Sequence, residues 1–153
     1  MSVNRSTDAS DPYNLERFVR AQRDVYAQAL AEVRAGRKKS HWMWYVFPQL
    51  DGLGTSSTAR HYALQNAAEA AAYLKHPLLG PRLHECCEAA QDVTGRSAHD
   101  IFGFPDELKL QSCLTLFAFV SPSDSIFAKL LNRYYDGVTD EKTLQLLRAT
   151  PER

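Results

Sequence analysis

The chain is poor in the features that usually announce a function. Cysteine occurs only three times, with Cys86 and Cys87 adjacent and Cys113 far away. An odd count without framework spacing excludes a disulfide scaffold and points to reduced thiols in a cytoplasmic compartment. His84 and Cys87 are the one pair at helical ligand spacing, too few for a zinc set, so no metal and no cofactor is expected. The chain contains no Walker loop, no dinucleotide-binding glycine fingerprint and no nucleophile elbow. Eighteen basic residues balance eighteen acidic ones. A neutral domain lacks the long-range pull that duplex DNA or an anionic membrane exploits, so nucleic acid is disfavoured as a partner. No apolar run approaches a membrane span, and the N-terminal stretch has no signal-peptide core. Sustained two-residue alternation, the mark of half-buried strands, is missing as well.

What the chain does have is helical periodicity. Its 153 residues suit one domain, and 44% of them are apolar, an ordinary share for a globular fold. Residues 1–10 are small and polar and read as a disordered lead-in. Residues 11–150 read as a single all-α domain, a compact multihelical unit of about eight helices. Asp11 and Pro12 open a first helix whose apolar positions recur at three- and four-residue steps to Val33, with Gly36 ending it. Ser40 is placed to cap a short helix that must finish before Pro48. A third helix is expected over Ser57 to Gln65. Asn66 and Glu69 have capping-box spacing for the next, which His76-Pro77 closes. Further helices follow over LLGPRLHECCEAAQDV, stopped near Gly95, and in one short turn within SAHDIFGFPD. The oily segment DELKLQSCLTLFAFV is expected to form a central helix, and two more complete the chain.

The stretch HWMWYVFPQ carries the strongest chemical signal. On a helix His41, Trp44 and Tyr45 share one side, while Met43 and Phe47 share another. Apolar residues all round indicate burial. Yet Trp, Tyr and His each carry a polar atom that needs a partner when buried, and a Gly-rich loop follows. Core and pocket wall both remain open readings, and they combine if Met43 and Phe47 face inward while His41 and Trp44 face a cleft.

Together with LERFVRAQ, YLKHPLLGPRL, IFGFPDELKLQSCLTLFA and TLQLL, this stretch resembles a bacterial and fungal family known as domain of unknown function 1810. The likeness runs from Asp11 to about Leu147. It implies a mostly helical fold and no established reaction. Some members carry the label calpastatin, which the chain does not support, because an extended protease inhibitor is polar and disordered.

Lys109 lies between two leucines of the oily helix, three residues after Asp106. It pairs with Asp106 or extends to solvent along its methylenes, or else it anchors an anion beneath the aromatic wall with Asp106 tuning it. HPLLGPR offers helix-entrance amides that can hold an anion with the help of Arg82, or is a plain turn between helices. Arg37, Lys38 and Lys39 are expected in a solvated loop at the negative end of the first helix.

The resulting expectation is a cleft for a planar, anionic small molecule of nucleotide type. Trp44 and Tyr45 stack, Gln49 reads a polar edge, and Lys109, Asp106 and Arg82 handle charge. If a reaction occurs there, His41 is the general base. The competing expectation is a protein-interaction module that uses the same aromatic groove. The oligomeric state is left open.

Overall fold

The computed structural model describes residues 10–149, so the lead-in expected at residues 1–10 lies, except for Ser10, outside the described residues. The described residues form ten helices and no strand; a lone bridge joins Leu50 to Leu64. The all-α class holds, and the count of about eight is corrected to ten.

The first expected helix is two, α1 (Glu16–Gln22) and α2 (Tyr26–Arg34). The expected start at Asp11 and Pro12 is corrected to Glu16, although the Asp11 carboxylate does accept from the amides of Leu15 at 2.7 Å and Glu16 at 3.0 Å. Apolar periodicity runs straight through the break, which is why the sequence hides it. The interruption lies where the buried Gln22 needs partners for its amide. Its Nε2 donates to Tyr45 O at 2.7 Å and to Tyr73 Oη at 3.2 Å.

Helix α3 (Met43–Val46) is only four residues long and starts later than expected. Ser40 does not cap it. Helix α4 (Ser57–His61) is capped by Ser56 and ends before the expected Gln65. Asn66 caps α5 (Ala67–Lys75) by accepting from Glu69 N at 2.9 Å, while Glu69 Oε1 reaches back to Gln65 N rather than Asn66 N. Helix α6 (Leu79–Asp92) follows at once, since His76 Nδ1 takes the amides of Leu78 and Leu79. The short turn is α7 (Ala98–Phe102), with a full Ser97–Asp100 capping box.

The oily segment is a helix, α8 (Asp106–Phe119), buried from Leu110 through Phe117 apart from the half-buried Gln111. It packs against α5, α7, α9 (Ile126–Tyr135) and α10 (Glu141–Ala149). One apolar cluster joins residues of α8 to Phe18, Phe47, Tyr73, Leu83 and Phe127. Met43 and Phe47 are 2% and 0% exposed and belong to this core. All three cysteines are buried; burial pushes the Cys86 thiol up to about 12 and raises Cys87 and Cys113 as well. Such thiols are inert as nucleophiles at neutral pH. No helix among the described residues is long and apolar enough to cross a membrane.

The α5–α6 junction is tight because Gly80 has no side chain. A Cβ placed there meets Leu74 O at 2.1 Å, inside van der Waals contact. Gly80→Ala is therefore expected to destabilise the fold by about 2 to 4 kcal/mol, since the clash is with backbone. Urea unfolding followed by circular dichroism measures this.

Candidate functional site

A charged residue on an apolar stripe organises the site. Glu32 follows Ala29 by three residues on the buried face of α2 and is 8% exposed. Its Oε1 accepts from Trp42 Nε1 at 2.8 Å and from the amides of Lys39 at 2.9 Å and Ser40 at 3.2 Å. Its Oε2 accepts from Ser40 Oγ at 2.6 Å and Gln28 Nε2 at 3.0 Å. Burial alone raises the acid's pKa, but the hydrogen bonds from Ser40, Lys39, Trp42 and Gln28 outweigh it and bring it down to about 2. The Ser40 hydroxyl is thus spent on Glu32 rather than on capping α3.

This anchored loop presents Lys38 to α8. Lys38 Nζ lies 2.8 Å from Asp106 Oδ2, over the Trp42 ring at 4.9 Å, and also donates to Ser40 O. Its side chain is only 5% exposed. The solvated loop expected for Arg37 to Lys39 is corrected at this residue, because an ammonium paired and hydrogen-bonded on several sides loses little by leaving water. Lys109 Nζ stands 3.6 Å from the other oxygen of Asp106 and 4.8 Å from the centroid of the Trp44 ring. Lys109 thus pairs with Asp106, as one expectation had it, and also sits against the Trp44 ring.

Two clefts lie on either side of this Trp44–Lys109 contact. The first, about 380 Å³, lies between Trp44, Gln49, the loop Leu53–Ser56, the start of α8 and the start of α10. The second, about 330 Å³, is lined by Lys38 to His41, Trp44, Phe102, Phe104, Asp106 and Lys109. Trp44, Pro105 and Lys109 line both. Together the walls carry four lysines and His41 against two aspartates, a local positive excess on a neutral chain.

His41, Trp44, Gln49, Asp106 and Lys109 are therefore brought together around these clefts. Tyr45 and Arg82 are not, and the structure corrects both placements. Helix α3 begins at Met43, so His41 precedes it, and consecutive residues Trp44 and Tyr45 leave on different sides. Tyr45 packs edge-on against Tyr62, with centroids 4.8 Å apart. Arg82 lies over Tyr26 at 4.5 Å and donates to Gln22 Oε1 at 3.2 Å. The helix-entrance amides that were to assist it are already taken by His76.

Several lining residues escaped sequence reasoning. Asp140 is fixed by its amide, which donates to Thr115 Oγ1 at 2.9 Å, and by Oδ2, which accepts from Thr143 N and Oγ1. Lys142, Ser56 and Phe104 complete the walls. They sit in loops or at helix starts, where no periodicity marks them. Glu32 did leave a signal: a carboxylate on the apolar stripe of a helix needs donors from elsewhere in the fold.

The class defined by these observations is a multihelical all-α domain with a cationic aromatic cleft. Residues 12–147 match the family described as Protein of unknown function (DUF1810), and the chain belongs to it. It is similar to the conserved hypothetical protein Rv1873 from Mycobacterium tuberculosis, at 53% identity and a TM-score of 0.89. That likeness covers 92% of this chain and 100% of the crystallised one. No curated protein matches.

Glu32 supplies a test of how the site loop is held. Its folded-state pKa lies below the ordinary 4.5, so its contribution is complete above pH 4.5 and is lost as pH falls towards 2. The shift corresponds to about 3 kcal/mol at most. Glu32→Gln is expected to lower stability by roughly 2 to 3 kcal/mol at pH 7, with the gap from the parent closing between pH 4.5 and 2. Denaturant midpoints across that pH range check it.

Proposed function

We propose that this domain binds a planar, anionic small molecule in the cleft between Trp44 and Lys109. The observation that supports this most is the meeting of an indole and a carboxamide from one segment with an ammonium from a distant one at one solvent-connected hollow. Hydrophobic packing alone does not call for that set. A half-buried Trp offers a stacking surface at low entropic cost, and Lys109 supplies charge beside it. Gln49 spends its backbone carbonyl on Leu64 N at 2.9 Å and keeps its side-chain amide for a polar edge. His41, exposed on the second cleft, is the general base if a bond is made or broken there.

A second reading has one specific observation in its favour. Phe104 and Leu108 are 74% and 48% exposed and sit on the cleft walls. Exposed apolar side chains beside a groove suit a peptide partner. Under that reading metabolites have no effect, and binding depends on Phe104 and Leu108 instead.

Thermal-shift screening of the parent protein against a metabolite set, repeated with Lys109→Ala, separates the two. The small-molecule reading predicts a compound that raises Tm in the parent and not in the variant. Lys109 is partly exposed, so its truncation is expected to cost the free protein under about 1 kcal/mol. Parent and variant that ignore every compound alike argue against a metabolite site.

A further inference from the structure

The two clefts differ in chemistry, and the difference points to the shape of the ligand. We propose that they form one bipartite site for a phosphate monoester of a planar heteroaromatic group, with the ring in the first cleft and the phosphate in the second. This rests on the cleft reading above and deepens it, since it assigns each half of the ligand to its own walls.

The first cleft is equipped to read an edge. The side-chain amide of Gln49 has no partner among the described residues, and of the Asp140 carboxylate only Oδ2 is engaged. Ser56 Oγ accepts from Ala59 N at 3.1 Å, which leaves its O–H free to donate. An amide, a free carboxylate oxygen and a hydroxyl offer donors and acceptors together, as the mixed edge of a heterocycle requires.

The second cleft is equipped for charge. Asp106 presents no uncompensated negative charge to it, because one oxygen faces Lys38 Nζ and the other Lys109 Nζ. Lys38 is in turn consumed by Asp106 and Ser40 O. The Lys39 amide is held by Glu32, yet its ammonium has no partner among the described residues, and neither does the His41 imidazole. Once Lys38 and Asp106 cancel, Lys39, Lys109 and His41 remain around one hollow. Three such groups match a dianion with several acceptor oxygens better than a single carboxylate.

Lys109 joins the two halves. Its ammonium covers one face of Trp44 in the free protein, 4.8 Å from the ring centroid. A phosphate in the second cleft draws that ammonium off the indole and clears the face for the ring. A ligand without phosphate has to compete with Lys109 for the same surface. Phosphate and ring are therefore expected to bind better joined than apart.

Isothermal calorimetry on the full chain tests this with adenosine monophosphate as probe, and adenosine and inorganic phosphate as its two halves. The expected result is measurable binding of the monophosphate and much weaker binding of either half. In the Lys39→Ala/His41→Ala double variant the monophosphate is expected to weaken on the order of tenfold or more, with adenosine unchanged. Both residues are exposed, so the variant is expected to keep the parent's Tm. Lys129→Ala, an exposed charge on α9, is the control for net charge and is expected to change nothing. If the double variant binds the monophosphate as tightly as the parent while Lys109→Ala loses it, the bipartite assignment is wrong and the cleft reading stands. Failure of the parent to bind all three probes overturns the assignment outright, leaving the cleft reading to the metabolite screen.

Discussion

The carboxylate of Glu32 is the constraint on which the rest of this site depends. A buried anion is tolerable only when its lone pairs are filled, and here the donors come from Gln28, Lys39, Ser40 and Trp42. Three of those four lie in the segment that leads into α3. Satisfying one acid therefore fixes the path of that segment. The path delivers Lys38 to Asp106, sets Trp42 in the core and leaves His41 and Trp44 at the surface of the hollow. Backbone, core and cleft wall share a single electrostatic requirement.

From that anchor the charges form a chain. Lys38 meets Asp106, Asp106 meets Lys109, and Lys109 meets the face of Trp44. The first and last links join the α2–α3 side of the molecule to the start of α8, and the middle one lies within α8 itself. The chain leaves the cleft walls rich in positive charge although the protein as a whole is neutral. Net charge argues about long-range partners; it is silent about a local field, and here the two differ.

Much of the fold was legible because helices advertise themselves. The stop at His76-Pro77, the Asn66 cap, the short turn in SAHDIFGFPD and the oily α8 are local effects, set by residues a few positions apart. The break between α1 and α2 was not legible, since Gln22 is answered by Tyr45 and Tyr73, residues of other elements. The same reason explains the misplaced site residues. Tyr45 and Arg82 have side chains suited to a ligand, but each is claimed by a neighbour from elsewhere, Tyr62 in one case and Tyr26 with Gln22 in the other.

By itself, then, the sequence determined helix type, most helix ends and which side chains carry chemistry, and it left the burial of Met43 and Phe47 as one of two open readings. These follow from periodicity and from the steric rules of proline, glycine and caps, which act over one or two turns. Only the tertiary structure decided which of those side chains face one another. The segment of His41 and Gln49 is far along the chain from Lys109 and from Asp140, and no local rule relates the three. They line two clefts with Lys109 in common because α8, with α10 against it, packs beside the segment that Glu32 holds in place, and packing is a property of the whole chain.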